Sequence, residues 1–240
     1  MWEREYQNPQ FLSLGNQPQK DFKDFISFLK KKLHIELEGK ALLDVGCGVG
    51  RNALYVAKKY GMKGGGFDVS PHAIELAQER KKELEEDGYE IGNKVKFFTS
   101  GIKALEEILD NTYDIIIDVT VSPSLSQSEF DYFLFHTKRI LKPGGFFFSR
   151  VLLLDSDRHA KYLIQNNPGT DKNSYIHPET KVHERMVLFN EYKKELSLMF
   201  KVVHSEKNYG YQRWGKEGNT QSVKRFYGLY YCKKLEKIIE

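Results

Sequence analysis

Ala41-Leu42-Leu43-Asp44-Val45-Gly46-Cys47-Gly48-Val49-Gly50-Arg51-Asn52 is the stretch that decides how the rest of the chain is read. Residues 41–45 are a short apolar run of strand type, 46–50 a glycine-rich turn, and 52–60 return to helical patterning. Glycines at alternate positions let the backbone turn tightly and approach a ligand with no side chain between. The helix that follows offers free N–H groups at its start. A dinucleotide-binding loop would put its third glycine at position 51. Arginine stands there, and the third glycine comes one residue earlier, at Gly50. Asp44 would repel a pyrophosphate; an acid in that place suits a ligand with an ammonium group.

Working outward, residues 65–69 read as a second strand, glycine-laden, with Asp68 at its end. An acid so placed accepts hydrogen bonds from ribose hydroxyls. An ammonium, a ribose and no phosphate together describe S-adenosylmethionine. Ser70-Pro71 has the form of an N-cap with proline at the first helical position, and the helix runs to about Glu86. Residues 94–99 read as a third strand, 105–109 as a short helical segment and 113–121 as a fourth strand, apolar in its middle. A helix over 130–141 stops at Pro143-Gly144-Gly145, and 146–154 form a fifth buried strand. An amphipathic helix precedes the whole over 18–33. Strands alternating with helices predict βαβ units and a parallel sheet.

After Leu154 the texture changes. Residues 155–181 are polar, with a turn at Asn166-Asn167-Pro168-Gly169; helical patterning returns over 188–199. Two strand-like runs, 200–204 and 225–232, are separated by a loop around 208–215.

The 240 residues suffice for one full-sized domain, and 40% hydrophobic with 13% aromatic residues suits a globular chain. The 37 Lys plus Arg against 33 Asp plus Glu give a formal charge of +4, far from the dense basic footprint of a nucleic-acid binder. The two cysteines make no disulfide framework, and no apolar run reaches transmembrane length. A cytoplasmic protein, monomer or homodimer, with no membrane or nucleic-acid partner is the expectation.

Residues 44–50 resemble motif I of the class I S-adenosylmethionine-dependent methyltransferases, and Asp68 matches that superfamily's ribose-binding acid. The Lys142-Pro143-Gly144-Gly145 turn is a further common feature. The string from Gly48 to Ala57 is similar to the tellurite-resistance type of small-molecule methyltransferases, and Arg225-Phe226-Tyr227-Gly228-Leu229 suits that family's last strand. The resemblance implies an α/β, doubly wound, mostly parallel seven-stranded sheet with helices on both faces and an antiparallel last strand. It implies one domain: 1–38 as N-terminal lid and helix, 39–154 as cofactor core, 155–185 as substrate lid, 186–240 as C-terminal helix and strand pair. The cofactor would be S-adenosyl-L-methionine, the function methyl transfer to a small-molecule acceptor. A protein or nucleic-acid acceptor, or a non-catalytic cofactor-binding module, are the alternatives. Val121-Ser122-Pro123-Ser124 lacks the Asn/Asp-Pro-Pro-aromatic signature of amino-directed nucleic-acid enzymes.

The cofactor-binding set expected is Asp44, Gly46, Gly48, Gly50, Asn52, Asp68, Val69, Gly101, Ile102 and Asp118. Glycine stands at 101 where the superfamily often has an acid for adenine, leaving the Gly101 and Ile102 backbone for that contact. No catalytic residue is fixed; Asp118, His183 and Glu184 are the candidates for a general base. Asp118 needs a reason, since an acid in an apolar strand is costly. His177 and His183, with Glu179 and Glu184 nearby, match no metal-ligand spacing, so a solvated lid helix and no metal are expected there. Cys47 reads as a small packing residue, and Arg51 as a solvated or ion-paired helix residue. Trp2, Tyr6 and Phe11, or Tyr209, Tyr211 and Trp214, are candidates for an aromatic lid. The acceptor is expected between the N-terminal segment and residues 155–185.

Overall fold

The computed structural model describes residues 2–9, 15–214 and 221–235. Two helices, α1 (Trp2–Gln7) and α2 (Lys20–Lys31), precede an alternating series. That series runs β1 (Ala41–Val45), α3 (Arg51–Tyr60), β2 (Lys63–Asp68), α4 (Pro71–Glu86), β3 (Val95–Thr99), β4 (Tyr113–Val119), α5 (Gln127–Ile140) and β5 (Leu141–Leu152). A 3-10 turn over Ile102–Glu107 leads into β4 and a shorter one over Ser122–Ser124 leaves it. Beyond β5 come α6 (Arg158–Asn166), β6 (Ser174–Ile176), β7 (His183–Arg185), α7 (Phe189–Ser197), β8 (Lys201–Trp214) and β9 (Gln221–Lys233).

Seven strands form one sheet in the order β3-β2-β1-β4-β5-β9-β8. β1 to β5 pair in parallel, and β9 runs antiparallel to both neighbours. The doubly wound sheet with an antiparallel last strand is therefore as expected. β1, β4 and β5 are largely apolar on both sides because helices cover both faces. Ile115, Ile117 and Phe148 pack under α2 and α3, while Ile116 and Phe147 pack under α5 and α7. In α4, the Ser70 hydroxyl accepts from Ala73 N at 3.1 Å with Pro71 at the first turn, as the sequence proposed. In α5, Ser126 and Glu129 cap each other's backbone in a reciprocal box.

Two expectations are corrected downstream. The loop foreseen at 208–215 is strand through Trp214: β8 and β9 pair from Lys201↔Lys233 to Trp214↔Gln221, a hairpin that overhangs the sheet. The lid helix foreseen near His177 and His183 is a β6–β7 ribbon, with Ser174 opposite Arg185 and Ile176 opposite His183. This ribbon and α6 have a small core of their own, Ala160, Leu163, Tyr175 and Met186 around Leu152. They are tied to β9 by a buried ion pair, Arg225 Nε to Asp157 Oδ2 at 2.8 Å.

Candidate functional site

β1 and β4 lie side by side, and the chain leaves them toward opposite edges of the sheet. In open α/β sheets the crevice outside the carboxyl ends of such strands is where ligands bind. A cavity of about 940 Å³ opens there. Gly46 and Gly48 line it with φ of 62° and 52°, backbone that L side chains rarely adopt. A Cβ at Gly46 would run into the Val121 side chain, and one at Gly48 would come within 2.5 Å of the Tyr6 hydroxyl. The glycines thus let the β4 loop and α1 close directly over the turn. Gly50 is different. Its Cβ position points at the Phe97 ring, 2.6 Å away, and it does not line the cavity. It packs against Phe97 and Ala77 at the start of α3.

Asp68 is on the cavity wall and 7% exposed. Gly48 N donates to its Oδ2 at 2.9 Å and Ser70 N to its Oδ1 at 3.0 Å. Burial nevertheless holds its pKa above the usual carboxylate value. Glu3 of α1 accepts from the Ser70 hydroxyl and from His72 N, pinning α1 across the α4 N-terminus. Val69, 55% exposed, faces Gly101, where an added Cβ would stand 3.8 Å from Val69 Cγ1. With Ile102 these residues form a slot in the cavity wall, flanked in sequence by Ser100 and Lys103.

Asp44 lies under the floor, 1% exposed and outside the cavity wall. Asn52, which does reach the wall, donates from Nδ2 to Asp44 Oδ2 at 3.3 Å and accepts at Oδ1 from Gln19 N at 3.4 Å. Burial pushes the Asp44 carboxyl up to about 8; Asp68 and Asp118 add to the rise, and Asn52 and Arg51 oppose it. Acids crowded beneath one floor make a site that favours a cation.

Asp118 is fully buried and outside the cavity wall. Its Oδ1 accepts from Val121 N (2.9 Å) and Ser122 N (3.1 Å), its Oδ2 from the hydroxyls of Ser122 (2.6 Å) and Ser149 (2.9 Å). Four donors leave it nothing for a ligand. Its expected roles as base and cofactor contact are corrected: it anchors the loop after β4, where Thr120 is held at φ 64°. Such a conformation costs a non-glycine residue about 1–3 kcal/mol. Thr120, Val121 and Ser124 of that loop wall the cavity. His183 sits 3.1 Å from Asp171 and also misses the cavity. Of the three base candidates only Glu184 lines it.

The other side of the cavity carries Trp2 and Tyr6 of α1, as the aromatic-lid reading proposed, and Tyr211 and Gln212 of β8. Tyr209, 55% exposed, is not on the wall but meets the Tyr211 ring edge-on, with centroids 6.2 Å apart; Phe11 and the Trp214 side chain lie outside the described residues. From 155–185 Glu184 reaches the wall, and the β8–β9 hairpin contributes Gly210, Tyr211, Gln212 and Tyr227. Sequence reasoning missed Arg150 and Tyr227. The Arg150 guanidinium lies 3.6 Å from the Tyr227 ring centroid, and its Nε donates to Asp21 Oδ2 at 2.8 Å. The aromatic alternation of Tyr209 and Tyr211 was the available signal that the strand continues. Cys47 also lines the cavity, its thiol pKa pushed well up by burial, as suits packing.

Residues 42–145 match the family model described as a methyltransferase domain. Phosphoethanolamine N-methyltransferase 1 of Zea mays is 33% identical over 158 residues, 60% of this chain and 26% of that protein. This chain therefore matches about a quarter of that relative's length. A solved S-adenosylmethionine-dependent methyltransferase from Methanosarcina mazei superposes with a TM-score of 0.66 at 20% identity, covering 86% of this chain and 98% of that one. TehB from Haemophilus influenzae gives 0.61 at 18%, covering 88% and 62%. At these identities the two structures are similar in fold.

Proposed function

We infer that this chain is a class I S-adenosylmethionine-dependent methyltransferase and that it methylates a small-molecule acceptor. One observation carries this reading. A carboxylate fixed by two backbone N–H groups, Asp68, stands on the wall of a cavity whose floor is a left-handed glycine turn over the buried acid Asp44. These residues fit S-adenosylmethionine: Asp68 for the ribose, the Val69–Gly101–Ile102 slot for the adenine, and the acidic floor for its positive charge.

When bound, that cofactor supplies a methyl group already activated on a sulfonium, so the hard chemistry is not the protein's. The chain's part is to hold, orient and enclose. Trp2 and Tyr6 cover the glycine turn, and the β8–β9 hairpin with the β4 loop bounds the space beyond. That enclosure supports a small acceptor over a polymer, as does the modest net charge of +4. We read 39–154 as the cofactor core, with 1–38 and 186–240 supplying its cover; 155–185 contributes one wall residue, Glu184.

The purified chain should be incubated with methyl-labelled S-adenosylmethionine and a panel of small amines, phenols and thiols. Label is expected in a small product, with S-adenosylhomocysteine formed in equal amount. Tight cofactor binding with no label leaving it would favour the non-catalytic module instead.

A further inference from the structure

Resting on the small-acceptor reading above, we propose that the acceptor half of the cavity receives an organic ammonium group, and that Glu184 is the residue that receives it. The argument is one of unmatched charge. Glu184 lines the cavity from β7. Its Oε2 accepts a short hydrogen bond from the Tyr175 hydroxyl, a neutral partner, and among the described residues no other group hydrogen-bonds or ion-pairs with its carboxylate.

The group that holds Tyr175 is ion-paired with Asp157 and also attracts Glu184 at longer range. Arg225 Nη2 donates to the Tyr175 hydroxyl at 3.4 Å, while its Nε is paired at 2.8 Å with Asp157, and both partners of that pair are buried. A second arm, Nη1, reaches the Gln212 side-chain oxygen at 3.2 Å. Arg225 therefore fixes two cavity-wall residues, Gln212 directly and Glu184 through Tyr175. It is a positioning residue, and Tyr175 is another. A long acidic side chain with one oxygen tethered and the other untethered is pre-oriented, so little rotamer entropy is lost when a cation arrives.

Three cations share these walls: Arg51, which interacts with the buried Asp44, Lys103, next to the Gly101–Ile102 slot assigned to the adenine, and Arg150. Arg150 is paired with Asp21 at 2.8 Å and stacked on Tyr227. Glu129 is engaged with Ser126 in the cap of α5. Asp68 is committed to the glycine turn and α4. Glu184 is the acid left over. The aromatic rings of Trp2, Tyr6, Tyr132 and Tyr211 around the same space suit an ammonium in a second way, through their electron-rich faces.

The test is calorimetric titration of the full chain, free and saturated with S-adenosylhomocysteine, with benzylamine and tryptamine against benzyl alcohol and tryptophol. The amines should bind at least about tenfold tighter than the alcohols, the size of a charge-assisted hydrogen bond. Glu184→Gln should erase that preference while leaving circular dichroism and thermal unfolding near wild type, and Tyr175→Phe should reduce it with circular dichroism near wild type. Affinity for S-adenosylhomocysteine should be unchanged in both variants. Equal binding of amines and alcohols, no binding of either, or a preference that survives Glu184→Gln would overturn the assignment. Loss of the cofactor reading would show separately, as failure of S-adenosylhomocysteine to bind the wild-type chain.

Discussion

Asp44 shows how a single burial sets the behaviour of a site. In the folded chain its carboxyl is held up to about 8, against an ordinary value of 3.8, by burial first and by Asp68 and Asp118 next. The folded state then keeps a proton that the unfolded chain releases. Its contribution to stability is full below the unfolded value and falls as pH rises toward the folded one, between about 4 and about 8. A cationic ligand above the floor reverses the preference, because a charged Asp44 then has a partner. We expect the affinity for S-adenosylmethionine to rise between about pH 6 and about pH 8, with proton release at neutral pH. Titrations in two buffers of different ionisation enthalpy measure that release, and Asp44→Asn should remove it. A wild-type release no larger than the variant's would contradict the cation reading. Asp118 teaches the complementary point. Its oddity in an apolar strand was legible in the sequence, but its purpose was not. The four donors that occupy it come from a loop and from Ser149 on β5, and only the folded chain brings them together.

At the scale of elements, what was legible was local. β1, the glycine turn and α3 follow from twenty adjacent residues, and the Ser70-Pro71 start of α4 is a cap signal needing no tertiary information. The β8–β9 hairpin was half legible. Asn208, Gly210 and Gln212 break the apolar pattern, so the stretch resembles a loop until its partner strand is known. Pairing with 221–233 supplies the backbone partners that hold it extended. The insertion was legible as a break in texture but not as a built unit. Asp157, the N-cap of α6, meets Arg225 of β9 inside the protein, across a long span of sequence. Excising 156–176 would therefore strand a buried guanidinium and is no clean test of function. Arg225→Met alone should cost about 3–5 kcal/mol, since it leaves Asp157 buried and unpaired. Arg225→Met combined with Asp157→Leu should recover much of that loss. Chemical denaturation of the two variants measures both. Equal destabilisation in the single and double variants would mean that the pair is not what ties the insertion to β9.

Over the whole molecule, topology decides where chemistry can happen. Five parallel strands end at the same edge, and winding in two directions from β1 and β4 leaves a crevice there that neither side's helices fill. The sequence reading located that crevice through the glycine turn and Asp68. The cover comes from the two ends of the described chain, α1 and the β8–β9 hairpin, with the β4 loop between. A cavity with Asp68 on its wall and Asp44 buried beneath its floor suits a positively charged ligand. The measurement that bears most directly on this account is calorimetric titration of S-adenosylmethionine into the wild-type chain and the Asp68→Asn variant. One-to-one binding is expected in the wild type, weakened in a folded variant by about 1.5–3 kcal/mol as charged hydrogen bonds to the ribose are lost. Equal affinity in the two proteins, or no binding to the wild type, would contradict it.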